Sequence, residues 1–158
     1  MSTQSQVIAL IPSLHSHLVP YLAAIHASCI THDRTIATFL PPLSHDKLLS
    51  WWKQRIAEIA EGTRIIYLLL RNMDPNIGPR GPDLMGVVML YMPYSETGSF
   101  RGIVEKLLVH KSYRGHGGAR ALISALEVEA SSLGRTMLVS NVPRRVALDG
   151  LTNADTGH

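Results

Sequence analysis

The residues best suited to chemistry lie between Val104 and Ala119, in the stretch VEKLLVHKSYRGHGGA. An apolar run from Val104 to Val109 stops at a polar, glycine-rich turn, Arg114-Gly115-His116-Gly117-Gly118-Ala119. A helical pattern follows from Arg120 to Leu133. Strand, glycine turn and helix start in that order gather backbone N–H groups into a concave nest at the positive end of a helix dipole. Such a nest holds an anion, most often a phosphate. Lys106, Lys111, Arg114 and Arg120 surround the turn and would draw in a polyanion. Taken singly, each also reads as ordinary solvated charge.

Two familiar phosphate turns fit poorly. A P-loop needs a lysine after its last glycine to reach the terminal phosphates, and none follows Gly117-Gly118. A dinucleotide fingerprint needs its three glycines just after the first strand. Here Gly115-His116-Gly117 is a lone G-x-G late in the chain, with Arg120 where the third small residue belongs.

The elements that must position this turn form one α/β pattern. Val7 to Ile11 reads as a strand ended by Pro12. His15 to about His26 has helical spacing through Leu18, Leu22 and Ile25, with Pro20 near its start. Thr31 to Pro42 reads as a loop. Ser44 can cap a second helix whose apolar stripe is Leu48, Trp51, Trp52, Ile56 and Ile59, ended by Gly62. Arg64 to Arg71 and Leu84 to Met92 read as strands separated by a Pro/Gly/Asn-rich loop. Ile103 to Val109 reads as antiparallel to the second of these. A long helix opens near Gly117 with Gly134 as its C-terminal cap, and Thr136 to Val139 is a last short strand.

Composition bounds the rest. The chain has 158 residues, 46% of them hydrophobic and 17% charged, which suits one domain with a sizeable core. A net charge of +3 is too mild for a dedicated nucleic-acid binder. No apolar run reaches the roughly 20 residues that cross a bilayer. The N-terminus lacks a secretory signal pattern, and the sole cysteine, Cys29, cannot pair internally. The expectation is a cytoplasmic protein without membrane or nucleic-acid partners and without a metal site, in which Cys29 is a small buried hydrophobe.

The turn matches R/Q-x-x-G-x-G/A at Arg114, Gly117 and Ala119, after a V-x-K-L-x-V strand and before a helix. In this it resembles the acetyl-CoA-binding motif of the GNAT-type N-acetyltransferases. The order of elements from Val7 to Val139 is similar to that family as well. The resemblance implies a mixed, mostly antiparallel sheet flanked by helices, and acetyl-CoA as co-substrate. Backbone groups of Leu108 and Val109 would pair with the pantetheine arm. Amides of Arg114, Gly115, His116, Gly117, Gly118 and Ala119 would hold the pyrophosphate. Val109 would polarise the thioester carbonyl while a primary amine of a small molecule attacks directly. Glu105, the one acid on the motif strand, is the candidate base or amine contact, pointing opposite to Lys106 by strand alternation. His110 is the runner-up base, and Tyr91 and Tyr94 are candidates for the acceptor pocket, with packing an alternative for Tyr91.

The family continues past this point with a helix and two strands, the helix often carrying a tyrosine that protonates the leaving thiolate. No tyrosine follows Tyr113, and residues 141–158 read as an irregular polar tail. The expectation is a domain over residues 1–140 that lacks the last helix and strands. Its uncovered final strand would favour pairing with a second copy. A protein that binds CoA without turnover, or a nucleotide-binding regulatory domain, stands as the alternative function.

Overall fold

A computed structural model describes residues 5–33, 45–71, 73–93, 101–135 and 137–140. Strands β1 (Ser5–Ala9), β2 (Arg64–Arg71), β3 (Leu84–Tyr91), β4 (Arg101–Val109) and β5 (Met137–Ser140) form a single sheet in chain order. β1 to β4 run antiparallel and β5 joins β4 in parallel, so the sheet is mixed and mostly antiparallel as expected. The helices are α1 (Pro12–His15), α2 (Val19–Asp33), α3 (His45–Ala60) and α4 (Gly118–Ser132).

Alternation along the strands divides the core into two layers. Ile66, Leu68 and Leu70 of β2, with Val87 and Met89 of β3, face α2 and α3, where Leu22, Leu48, Trp52 and Ile56 complete the packing. Leu69, Val88, Leu90, Val104 and Leu107 face α4 through Leu122, Leu126 and Ala130. β2 and β3 are buried on both sides, and so they read as unbroken apolar runs. α4 ends in a Schellman arrangement, with Gly134 N bonded to Ser131 O and Arg135 N to Ala130 O.

Several boundaries differ from the expectation. β1 begins two residues earlier, and Pro12 opens a helical turn instead of closing the strand. Pro fits there because the first helical N–H has no partner in any case. α2 starts at Val19, beside Pro20, but runs on to Asp33, so residues 31–33 are helical and not loop. β4 starts at Arg101, two residues before the expected Ile103. Ser44, Tyr94, residues 34–42 and residues 141–158 lie outside the described residues.

Gly86 lets the site be built. A Cβ placed there would stand 2.9 Å from the backbone oxygen of Leu108 and 3.3 Å from Leu122 Cδ1. Replacing it with alanine forces β4 or α4 to shift. We expect Gly86→Ala to cost about 1–3 kcal/mol in urea denaturation. An unchanged midpoint would show that β4 yields freely.

Candidate active site

β4 changes phase in its middle. Met89 pairs with Glu105 and Val87 with Leu108, so Lys106 and Leu107 together stand opposite Val88. Lys106 adopts φ +50°, the left-handed region. This is a β-bulge, which inserts one residue and re-aims its neighbours. Plain alternation puts Glu105 and Lys106 on opposite faces, and the bulge corrects that expectation by turning both toward α3. Glu105 Oε2 accepts a hydrogen bond from Arg64 Nη1 at 2.9 Å. Lys106 Nζ lies 5.5 Å from the Trp51 ring centroid.

These contacts belong to a closed circuit. Arg64, only 4% exposed, also donates from Nε to Glu58 Oε2 at 2.6 Å. Glu58 Oε1 pairs with Arg55 at 3.0 Å, and the Arg55 guanidinium lies 5.4 Å over Trp51. Trp51, Arg55 and Glu58 on α3 are thereby linked through Arg64 to Glu105 and Lys106 on the bulge. Burial lowers the Lys106 ammonium below its usual range, and the Glu105 carboxylate pulls partly the other way. Tyr91 lies under Arg64, with 5.1 Å from its ring centroid to the guanidinium carbon. It therefore packs against this circuit, the bland alternative for that residue. Behind it, His26 is buried against Trp51 and Trp52, with ring centroids 5.3 and 5.8 Å away. Burial, with Lys106 adding repulsion, pushes the His26 pKa down to about 4.

Past the bulge, the ladder decides which amides are on offer. His110 N donates to Met85 O at 2.7 Å. Hydrogen-bonded pairs alternate along an antiparallel ladder, so Leu108 also bonds to β3 while the N–H and C=O of Val109 turn away from it. Leu107, two residues earlier, shares the Val109 orientation, and both side chains pack toward α4. On β4 the residues whose backbone turns away from β3 are therefore Leu107 and Val109, whereas Leu108 pairs with Val87. Sequence spacing could not show this, because the phase is set by β3. The described β4–β5 ladder runs only from Arg101↔Met137 to Val104↔Ser140, so among the described residues no β5 residue pairs with residues 105–109.

The glycine turn follows a 3-10 turn at Lys111–Tyr113. Gly115 and Gly117 take φ +83° and +77°, the left-handed region that costs other residues about 1–2 kcal/mol. Gly117 is the N-cap of α4 and no side chain caps that end. The first-turn amides of an α-helix have no partner within the helix, and those of Gly118, Ala119 and Arg120 are such amides. A Cβ built on Gly115 or Gly117 meets nothing within 4 Å, so the space above the turn is open. Gly118 has a different task. Its missing Cβ would lie 2.5 Å from Leu69 Cδ2, which lets α4 start directly on β2. His116 stacks on Tyr113 at 5.2 Å. The Arg114 side chain folds back, donating from Nε to Val109 O at 3.0 Å and approaching Cys29 Sγ at 3.6 Å. It ties the turn to the strand end and to α2. The Cys29 thiol is buried, as expected.

Val109 and the residues 114–119 are thus gathered at one end of β4. Glu105 stands lower on the strand, on the α3 face. His110 Nδ1 is engaged by Ser112. An uncapped helix N-terminus and open glycine turn beside an outward-facing strand amide suit a long ligand with a phosphate at one end and an extended arm.

The acetyltransferase (GNAT) family model matches residues 42–146. The chain belongs to this family. No curated protein matches the sequence significantly. Among solved structures, an N-acetyltransferase of Staphylococcus aureus superposes with a TM-score of 0.68 at 15% identity, covering 96% of this chain and 82% of its own. Glucosamine-6-phosphate N-acetyltransferase of Arabidopsis thaliana gives 0.62 at 8% identity, with 98% and 91% covered. An aminoglycoside N-acetyltransferase in complex with CoA gives 0.64 at 12% identity, with 99% and 89% covered. At such identities the likeness is one of fold. Among the described residues, no helix is long and apolar enough to cross a membrane.

Two outcomes test the circuit and its surroundings. Arg64→Met strands two carboxylates that each keep a fifth of their surface in water. It should destabilise by about 3 kcal/mol, the low end for breaking a buried pair, as read by urea denaturation. For His26 the folded pKa lies below the unfolded value of 6.5. The unfolded chain therefore takes up the proton first as pH falls, and stability drops between pH 6.5 and about 4. His15, lowered chiefly by burial, acts in the same direction. His26→Phe should remove up to about 3 kcal/mol of that acid-dependent loss. An identical stability-versus-pH curve would contradict the assignment.

Proposed function

We propose that this protein transfers the acetyl group of acetyl-CoA to a primary amine of a small molecule by direct attack. One observation carries the reading: the open, uncapped nest at residues 114–119 adjoins the outward-facing backbone of Val109. The nest amides would hold the pyrophosphate, with Lys111 and Arg120 nearby on the basic rim. The backbone edge at Leu107 and Val109 would line the pantetheine arm. A strand amide there, Val109 in the first instance, would polarise the thioester carbonyl, and preorganised donors of this kind supply much of the rate enhancement in acyl transfer. Arg114 occupies the Val109 carbonyl, which leaves the Val109 N–H as the group facing the arm.

Glu105 is the proposed base. Arg64 holds its Oε2, and Oε1 makes no hydrogen bond among the described residues. One oxygen is thus oriented and the other can accept a proton from the amine, directly or through water. His110 is less suited, since Ser112 occupies its Nδ1. The ion pair with Arg64 also favours a second reading, a protein that binds CoA without turnover, because it offers Glu105 a purely structural task.

Titration calorimetry with acetyl-CoA, followed by thiol release over an amine panel, separates these readings. Gly117→Val should weaken acetyl-CoA binding roughly tenfold or more, through left-handed strain and blocked approach. Glu105→Gln should slow thiol release while leaving acetyl-CoA affinity within about twofold. Binding with no thiol release from any amine would favour the second reading. Wild-type protein that fails to bind acetyl-CoA would overturn both.

A further inference from the structure

On the other side of β4, toward β3, lies a cleft of about 330 Å³ between α2, the start of β3 and the His110–Ser112 turn. Its size matches the smallest specific ligand pockets. Ile25, Leu84 and Met85 give it apolar walls. Tyr21, Ser28, Arg71 and His110 bring polar groups to the same space.

The polar lining is one-sided. Arg71 makes no ion pair or hydrogen bond among the described residues, and neither do the hydroxyls of Tyr21 and Ser28. His110 Nδ1 accepts from Ser112 N at 3.2 Å and meets Ser112 Oγ at 2.6 Å. That nitrogen is therefore the unprotonated one in the neutral ring, and the hydrogen sits on Nε2. Nε2 has no partner among the described residues. Among the described residues, no carboxylate lines the cleft. Asp83, which sits between the lining residues Pro82 and Leu84, is taken by Arg80 at 3.2 Å. Arg71 and His110 thus line an apolar-walled cleft in which no described lining residue is acidic.

We propose that this cleft binds a small organic carboxylate with an apolar body, its carboxylate on Arg71 and His110 and its chain along Ile25, Leu84 and Met85. A guanidinium matches a carboxylate in shape and charge, and the hydroxyls can take its remaining lone pairs. A bare inorganic anion has no chain to cover the apolar walls and would gain nothing from them. None of the residues 114–119 of the proposed acetyl-CoA nest is among those lining the cleft.

Hexanoate is the probe, with hexanol as the uncharged control, titrated into the full chain and followed by amide NMR shifts. Hexanoate should move the amides of Ile25, Met85 and His110, with hexanol roughly tenfold weaker or worse. Arg71→Met, at the exposed end of β2, should weaken hexanoate by a similar factor while hexanol is unaffected. Ser28→Phe, which fills the cleft from α2, should weaken both. Hexanoate that moves none of these amides, that binds no better than hexanol, or that binds Arg71→Met equally well would overturn the assignment. Acetyl-CoA titrated in parallel reports on the nest alone. Its failure would undo the function proposed above and leave the carboxylate result standing.

Discussion

One inserted residue in β4 governs the site. Without the bulge at Lys106, β4 would keep a single phase along its length, and Glu105 and Lys106 would part to opposite faces. With it, both charged side chains meet α3, and the strand resumes pairing with β3 one residue out of step. That shift is what turns the polar backbone of Val109 away from β3 at the end where the glycine turn begins. The left-handed conformation of Lys106 costs about 1–3 kcal/mol and persists only because its surroundings over-determine it.

The circuit of Trp51, Arg55, Glu58, Arg64, Glu105 and Lys106 supplies that over-determination. Arg64 is the member that water cannot satisfy, and two carboxylates and the Tyr91 face do so instead. An isolated buried cation would be prohibitive, whereas a guanidinium with a carboxylate on each side is tolerable. The same contacts that neutralise Arg64 fix the position of Glu105 relative to the bulge. Stability and site geometry therefore share their atoms here, and the half-buried Lys106 lies on the α3 side of the strand beside Trp51.

The glycine turn is built for its backbone. Gly115 and Gly117 are needed for their left-handed turns, while Gly118 is needed because α4 starts in contact with Leu69. Arg114 then braces the turn against Val109 and the Cys29 side of α2. A family resemblance carried by one short motif thus resolves into separate physical tasks for adjacent residues. The chain belongs to the acetyltransferase (GNAT) family.

The sequence by itself determined the order and type of the main elements, because β2 and β3 are long apolar runs and α3 and α4 carry clear stripes. It also placed a helix start at the glycine turn, and α4 opens there with Gly117 as an N-cap that has no side-chain cap. It could not determine the phase of β4, because a bulge leaves no signature in VEKLLV and is imposed by pairing with β3. For the same reason it could not tell which β4 residues turn their backbone away from β3. Nor could it show that Arg64, 41 residues from Glu105, would hold that carboxylate. Local backbone chemistry is written in neighbouring residues, while the facing of a side chain or amide is a property of the strands and helices packed around it.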